Sequence, residues 1–126
     1  MKQVKDIMKK RAVSVNEHDD IRTVCMALSR HKVSGLPVLG ASGKLVGFVS
    51  ERDIISAVAR PGFDRATARH VMTRRVKTIS DDAPVTSASK IFSEEDYRLL
   101  PVVRDGRLVG MIGRKEVVNF MMGNYY

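Results

Sequence analysis

The sequence predicts an α+β fold built from two tandem copies of a strand–helix–strand–strand–helix unit. Three observations predict it: an internal repeat, a proline-marked hairpin in each copy, and apolar residues at helical spacing on both sides of that hairpin. The predicted copies span residues 1–62 and 63–126. A single copy would leave one face of its small sheet uncovered, so the two are expected to pack over a shared core.

The repeat runs through almost the whole chain. The stretch "VKDIMKKRAVSV" aligns with "ARHVMTRRVKTI" and places Met8 on Met72. The same register places "SGLPVL" on "RLLPVV", with Pro37 on Pro101. After one residue is lost in the second copy's turn, "GKLVGFVSERDII" matches "GRLVGMIGRKEVV". A match of this length, with its single gap in a turn, makes tandem duplication the organising feature.

Each copy opens with a short extended segment, "RAVSV" or "VKTI", followed by a helix. In the first copy Ile21, Val24 and Leu28 recur at helical spacing, and the acidic pair that ends "NEHDD" offers a helix cap. In the second copy Pro84 suits a helix start, where its missing N–H has no cost. Cys25 shares the first helix's apolar face, so it is interpreted as core packing rather than a nucleophile.

A hairpin and a second helix complete each copy. The segments "LPVL" and "KLVGFV" flank a glycine-containing turn, and "LPVV" and "RLVGMI" flank "RDG", where Asp-Gly supplies the positive φ of a tight turn. The last helices are predicted from Ile54, Ile55, Val58, Val117, Val118, Met121 and Met122. "RPGFD" connects the copies and contains the breakers Pro61 and Gly62.

Composition limits the classes of function. The formal net charge of +8 and the pI of about 10.0 favour anionic partners such as nucleotide phosphates, nucleic acid or an acidic protein, although solubility alone would also explain them.

No apolar run would span a bilayer, "MKQVKDIMKK" lacks a signal-peptide core, and the single cysteine fits a reducing compartment. We therefore expect a cytoplasmic protein with no membrane contact. The scattered His18, His31 and His70 are expected at the surface, and no metal site is expected.

The stretch "GFVSERDI" carries the first candidate site. Ser50 and Asp53 are three residues apart between two apolar runs, which is the spacing of a helix-capping box. The same pair would also suit the polar end of a ligand pocket, because a helix start offers unpaired N–H groups to phosphate. Both roles remain open, and they are compatible.

The combination of "GLPV", "GKLVGFVS" and the Ser50–Asp53 spacing resembles the cystathionine β-synthase (CBS) domain, and the paired copies resemble the tandem CBS arrangement called a Bateman module. The resemblance implies two CBS repeats packed about a pseudo-two-fold axis, with two clefts that hold AMP, ADP, ATP, NAD or S-adenosylmethionine. It also implies a regulatory sensor rather than an enzyme, with no required cofactor, a homodimer, and a regulated protein whose identity the sequence does not give.

The resemblance also implies site residues. In the family the hydroxyl contacts phosphate and the carboxylate accepts hydrogen bonds from the ribose diol, so the ligand-binding set expected here is Ser50, Arg52, Asp53, Val76, Lys77, Thr78, Arg98, Leu99, Leu100 and Pro101. Within this set Val76 and Leu100 would flank adenine, and backbone groups of Lys77 would meet its edge. Arg98 and Arg52 are the candidates for phosphate.

The second cleft departs from the family pattern because Gly113 and Glu116 replace the hydroxyl and the aspartate. A glutamate carboxylate is one methylene further from the backbone, so we expect this cleft to be empty, weak or differently used, with Arg114 and Lys115 leaving it positively charged. Its expected residues are Val13, Ser14, Ser34, Gly35, Leu36, Pro37, Gly113 and Glu116.

Two other functions remain open. The basic clusters Lys2, Lys5, Lys9, Lys10 and Arg11 and Arg65, Arg69, Arg74, Arg75 and Lys77 would suit nucleic acid, although the low aromatic content of 6% gives little support for base stacking. A purely oligomerising module would use the apolar terminus "NFMMGNYY". No glycine-rich phosphate loop or catalytic triad order is present in the sequence, which disfavours an enzyme.

Overall fold

The computed structural model of the protein describes the backbone of residues 2–125 and the side chains of residues 2–123. Its elements are α1 (Val4–Ile7), β1 (Val15–Asn16), α2 (Ile21–His31), β2 (Gly35–Leu39), β3 (Leu45–Ser50), α3 (Glu51–Val58), α4 (Ala68–Val71), β4 (Ile79–Ser80), α5 (Val85–Glu94), β5 (Leu99–Arg104), β6 (Arg107–Gly113) and α6 (Arg114–Tyr125). The predicted α+β fold and the element order in both copies are confirmed. The short helices α1 and α4, each placed before its copy's first strand, are additions to the predicted order.

Each copy contributes a three-stranded sheet, in the order β1–β2–β3 and β4–β5–β6. The first strand pairs parallel with the second, and the second pairs antiparallel with the third. A parallel pair needs a crossover connection, which α2 and α5 supply. In the β5–β6 turn, Asp105 and Gly106 have φ angles of 53° and 77°, so the tight turn predicted from "RDG" is confirmed.

The compact units group the chain differently from the sequence repeat. One unit, here called the first-repeat unit, is Val13–Val76, and the other, the second-repeat unit, is Met1–Ala12 with Lys77–Tyr126. Each unit therefore contains its own repeat's sheet and the other repeat's entry segment, which is the stretch preceding the first short strand. The predicted domains 1–62 and 63–126 stay a prediction that rests on the sequence repeat.

The exchanged entry segments are held by equivalent hydrogen bonds. The first two N–H groups of α4 and of α1 donate to carbonyls in the loop after the unit's short first strand: Ala68 to Asp19 (2.8 Å), Arg69 to Glu17 (2.8 Å), Val4 to Ala83 (2.8 Å) and Lys5 to Asp81 (2.9 Å). These N–H groups have no partner inside their own helix, so the loop carbonyls satisfy them. The exchange is reciprocal and uses matching positions of the two repeats.

Each entry segment then joins the outer strand of the sheet. Thr73 and Phe48 exchange backbone hydrogen bonds of 2.8 and 2.9 Å, and so do Lys9 and Met111. The entry segment thus lies beside β3 in the first-repeat unit and beside β6 in the second-repeat unit.

Glycines permit this close approach. A Cβ on Gly47 would lie 2.9 Å from the Thr73 carbonyl oxygen, and a Cβ on Gly110 would lie 2.6 Å from that of Lys9. Both distances are too short for a real side chain, so these two positions require glycine for a steric reason.

The entry helices also complete the hydrophobic cores. In the first-repeat unit, Ala68 of α4 is fully buried in a cluster that includes Val24, Val38 and Val49. In the second-repeat unit, Val4 of α1 is fully buried in a cluster with Ile79, Ala88, Leu100, Val102 and Ile112. Burial of one valine side chain contributes about 1.5–3 kcal/mol. Cys25 is half-buried and packs against the first core, as predicted.

One charged pair stabilises the second-repeat unit. Asp81 is only 4% exposed, and its carboxylate accepts a 2.7 Å hydrogen bond from Arg104 Nε and a further contact from Nη2. The hydrogen bond to Asp81, followed by its charge, raises the pKa of Arg104 above the ordinary value. The pairing is needed because a buried carboxylate without a partner is strongly unfavourable.

Candidate functional site

Ser50 and Asp53 form the capping box that their spacing predicts. Ser50 ends β3 in an extended conformation and is the N-cap of α3. Its N–H donates to Asp53 Oδ2 at 2.9 Å, its hydroxyl donates to the same oxygen at 3.0 Å, and the Asp53 N–H donates to Ser50 Oγ at 3.2 Å. The pair is half-buried, so this network holds the carboxylate in one orientation.

Thr73 supports the same carboxylate from the exchanged entry segment. Its Oγ1 lies 3.3 Å from Asp53 Oδ1 and 3.5 Å from Oδ2. Among the described residues, the 3.3 Å bond from Thr73 is the only hydrogen bond to Oδ1, whereas Oδ2 also accepts two bonds from Ser50. Because a carboxylate oxygen has two lone pairs, Oδ1 retains capacity for a ligand hydroxyl.

The pre-proline segment of the first copy lies beside this pair. Gly35 pairs with Ser50 across the sheet, and the Ser34 carbonyl accepts a 2.9 Å bond from the Glu51 N–H. Leu36 and Pro37 are buried, and the Ser34 side chain is exposed.

Other predicted residues of the first-repeat unit take no part in this hydrogen-bond network. Val13, Ser14 and Val76 are half-buried, and Arg52 is exposed. None of these four side chains has a hydrogen bond to Asp53 within the described residues.

The second-repeat unit has a pocket at the equivalent place. Its volume is about 370 Å³, and it is lined by Lys9, Arg98, Leu99, Gly113, Arg114, Lys115 and Glu116. Glu116 Oε1 accepts a 2.7 Å hydrogen bond from the Gly113 N–H. The longer acid therefore folds back and caps the helix without a hydroxyl. Four basic residues against one carboxylate make this pocket positively charged.

The remaining predicted residues also lie in the second-repeat unit. Leu100 is fully buried in the core and Pro101 is buried, so Leu99, at 38% exposure, is the residue of this segment that offers apolar surface. Lys77 forms an ion pair of 3.3 Å with Glu95, and Thr78 is half-buried.

The predicted grouping of these residues into two clefts involves both units. In one predicted cleft Ser50 and Asp53 would face 76–78 and 98–101, and in the other Gly113 and Glu116 would face 13–14 and 34–37. Both groupings stay a prediction. Within single units, Arg98 and Leu99 adjoin Gly113 and Glu116, and Ser34 and Gly35 adjoin Ser50.

The family comparison follows the same two-copy division. A family model described as the CBS domain matches residues 4–60 and again residues 68–123. The chain belongs to the CBS domain family.

Two solved structures of CBS-pair proteins match nearly the whole chain. CBSX2, a CBS-pair protein of Arabidopsis thaliana solved in complex with AMP, is 26% identical, with 100% of both chains covered and a TM-score of 0.87. The CBS domain pair of protein MJ0100, solved in complex with 5′-methylthioadenosine and S-adenosyl-L-methionine, is 30% identical, with 98% of both chains covered and a TM-score of 0.77.

Relatives by sequence include whole proteins and parts of larger ones. Hypoxic response protein 1 of Mycobacterium tuberculosis is 24% identical over 96% of this chain and 86% of that protein. L-aspartate semialdehyde sulfurtransferase of Methanocaldococcus jannaschii is 31% identical, but the match covers 95% of this chain and only 23% of the enzyme. In that enzyme the CBS pair corresponds to a minor part of the chain.

Sequence reasoning missed Thr73 as a hydrogen-bond partner of Asp53 and Lys9 as a lining residue of the Glu116 pocket. The repeat places Lys9 on Thr73, one residue after the aligned methionines. It also places Gly47 on Gly110, where the entry segments pass. These paired features were the available signal for the exchange.

The described residues were also compared with the requirements of a membrane-spanning helix and of a metal site. No helix within 2–125 is long and apolar enough to cross a bilayer. The same residues contain no group of three or more His, Cys, Asp or Glu side chains arranged to hold a metal ion.

Proposed function

We propose that this CBS pair is a regulatory module that binds an adenosine-containing nucleotide at the Asp53 carboxylate and transmits binding to a partner protein. The observation that carries the proposal is the fixed orientation of this carboxylate, with Oδ1 available to a ligand. Two similar CBS pairs, matched along nearly their whole length, were solved with adenosine compounds bound.

The chemistry of the site suits a nucleoside. A carboxylate accepts hydrogen bonds from the two hydroxyls of a ribose, and charge-assisted bonds of this kind contribute about 1.5–3 kcal/mol. The start of α3 favours negative charge, so phosphate near Ser50 would be stabilised. Arg52 is exposed in the first turn of that helix and is proposed to meet the phosphate.

The pocket around Glu116 is proposed to be weaker or differently used. Gly113 offers no hydroxyl, and the Glu116 carboxylate, which accepts the Gly113 N–H, is one methylene further from the backbone than that of an aspartate. A ribose diol placed as proposed at Asp53 would therefore meet the carboxylate in a different position, whereas the basic lining would still attract an anionic group.

A module of this kind is proposed to act through binding rather than catalysis, as a cytoplasmic homodimer. Regulation requires that the nucleotide bind one state of the protein more tightly than another, because equal affinity would not shift the equilibrium between the states.

Exposed apolar side chains on α3 and α6 supply surface for a second copy: Ile55 (72% exposed), Val58 (50%), Val118 (57%), Met121 (43%) and Met122 (52%). The predicted terminal cluster also includes Tyr126 and the Tyr125 side chain, which lie outside the described residues.

The dimer is tested by light scattering over a dilution series. Ile55→Glu and Val118→Glu should shift the mass towards the monomer, whereas Met26→Glu, on exposed surface of α2, should not. A concentration-independent monomer mass for the natural protein would contradict the proposal.

The binding proposal is tested by isothermal titration with AMP, ADP, ATP, NAD and S-adenosylmethionine. Asp53→Asn keeps an acceptor for the Ser50 N–H but removes the charge, and it should weaken binding about 10- to 100-fold. Glu51→Gln removes the same charge two residues away, on an exposed position outside the capping network, and should leave affinity unchanged. If none of the five compounds binds below about millimolar, which is only about 4 kcal/mol, the proposal fails.

A further inference from the structure

A second concave site lies in the first-repeat unit, at the segment that connects the two repeats. Its volume is about 390 Å³, within the range of small-molecule sites. The residues that line it are Ala57, Arg60, Pro61, Gly62, Phe63, Arg65, Ala66, His70 and Val71. It shares none of these residues with the Ser50–Asp53–Thr73 network.

The charged residues that line this pocket are all basic. Arg60 and Arg65 both line it, and its lining contains no aspartate or glutamate. Neither guanidinium forms a salt bridge with any residue of the described chain. Arg60 follows the C-terminal end of α3, whose carbonyls favour one cation, whereas Arg65 ends only a single 3-10 turn, Phe63–Arg65, which has a much smaller dipole. The pocket therefore has excess positive charge, which an anionic ligand would neutralise.

His70 adds a hydrogen-bond donor to the same lining. Its Nδ1 accepts the Thr67 N–H at 3.0 Å in the capping box of α4. A ring nitrogen that accepts a hydrogen bond carries no proton, so in the neutral ring the proton is on Nε2, which is then a donor.

The rest of the lining is apolar. Ala57 is buried, Ala66 and Val71 are half-buried, and Phe63 is a large side chain with 39% of its surface exposed. Gly62 has a φ angle of 83°, a left-handed conformation that glycine adopts readily. This residue turns the chain between Arg60 and the segment that contains Phe63 and Arg65. An exposed phenyl ring beside two guanidinium groups suits a ligand with an apolar, flat body and an acidic head.

We propose that this pocket, the linker pocket, binds a small organic anion: a carboxylate or phosphate monoester held by Arg60 and Arg65, with its apolar body against Phe63 and Val71. The proposal goes beyond nucleotide binding at Asp53 and does not rest on it. A ligand here would contact both the end of α3 and the last two residues of α4, His70 and Val71, so it would act on the exchanged entry segment.

The test is a ¹⁵N–¹H NMR titration of the full chain with phenyl phosphate, benzoate and the neutral benzamide. Phenyl phosphate, benzoate or both should give saturable shifts at the Gly62, Phe63 and Ala66 amides, with benzamide at least tenfold weaker. A response to phenyl phosphate alone identifies phosphate esters as the ligand class, and a response to benzoate alone identifies carboxylic acids. No saturable shift with either anion up to about 10 mM, or equal binding of benzamide, would overturn the proposal.

Variants check the two arginines. Arg60→Gln and Arg65→Gln should each weaken binding of the responding anion at least threefold, and the double variant should abolish it. Arg69→Gln removes an exposed arginine of α4 that does not line the pocket, and it should bind normally. Asp53→Asn should also bind normally, which separates this site from the nucleotide site. Unchanged binding in the double variant would contradict the assignment.

Discussion

Thr73 donates its hydroxyl hydrogen bond to the carboxylate of Asp53, at 3.3 Å from Oδ1, although the two residues belong to different sequence repeats. The contact exists because the entry segment of the second repeat lies beside β3 of the first. In the other unit the equivalent position is Lys9, which lines the same pocket as Glu116. The repeat therefore places chemically different residues at this position, a threonine that bonds to Asp53 in one unit and a lysine in the other.

Thr73→Val tests the role of this hydroxyl. Valine keeps the shape but removes the donor, so Asp53 should be held less firmly and nucleotide affinity should fall about two- to fivefold, as expected for about 0.5–1 kcal/mol. Titration calorimetry measures the change. Thr86→Val, on an exposed face of α5, is the matched control and should bind like the natural protein. An equal affinity in both variants would show that the Thr73 hydroxyl has no part in binding.

The double variant Gly113→Ser with Glu116→Asp should restore a Ser–x–x–Asp pair in the second-repeat unit. A Cβ on Gly113 would lie 3.2 Å from Glu116 Oε1, so the shorter acid relieves that crowding and allows the capping geometry of Ser50 and Asp53. The number of nucleotides bound per chain should rise towards two in a calorimetric titration. Glu116→Asp alone lacks the hydroxyl and should gain less. A double variant with unchanged stoichiometry would argue against the proposed difference between the sites.

Gly47→Ala should destabilise the fold by about 1–3 kcal/mol, because the new methyl group would lie 2.8 Å from Met72 Cγ and 2.9 Å from the Thr73 carbonyl oxygen. Urea unfolding followed by circular dichroism measures it. Gly123→Ala makes the same change on α6, where nothing lies within 4 Å, and should be neutral or slightly stabilising. Similar unfolding midpoints for the two variants would show that the entry segment is not tightly fixed at β3.

Asp20 caps α2, and its effect should depend on pH. The Thr23 N–H donates to its carboxylate at 2.8 Å, and this bond lowers the pKa of Asp20 below the ordinary value of 3.8. A lowered folded-state pKa stabilises the fold above the ordinary value, and the contribution is lost as pH falls through the folded value. Asp20→Ala should lower Tm at pH 7, and Asp20→Asn should lower it less.

As pH falls below the ordinary value of 3.8 and through the lowered folded-state pKa of Asp20, the gap in Tm between the natural protein and Asp20→Asn should narrow. Thermal unfolding between pH 7 and about pH 2 measures it, and carbon NMR of the carboxyl reports the pKa directly. A gap in Tm that stays constant over this range would show that the charge of the Asp20 carboxylate does not contribute to the stability of the fold.

The local structure was predictable because its causes are local. Helical spacing of Ile21, Val24 and Leu28 identified α2, and the aligned Pro37 and Pro101 identified the two hairpins. The Ser50–Asp53 capping box followed from residue type and spacing, and the structure contains it.

The exchange of entry segments was not predictable in the same way. It depends on pairing between residues far apart in the chain, such as Val4 with Ala83, and local propensity carries no information about such pairs. The burial of Leu100 has a similar origin, since its side chain fills a core that forms only when distant elements meet. For the same reason the roles of Thr73 and Lys9 became visible only with the sheet edges in place.

Reciprocal entry segments also bear on how such a chain arises. An isolated repeat lacks the helix that would complete its own core, and it can obtain that helix only from another molecule. Two identical single-repeat chains would satisfy this need by intertwining their N-terminal arms. Fusion of two such chains end to end would keep every one of those contacts while making assembly independent of concentration, after which the halves are free to diverge, as Ser50 and Gly113 have done.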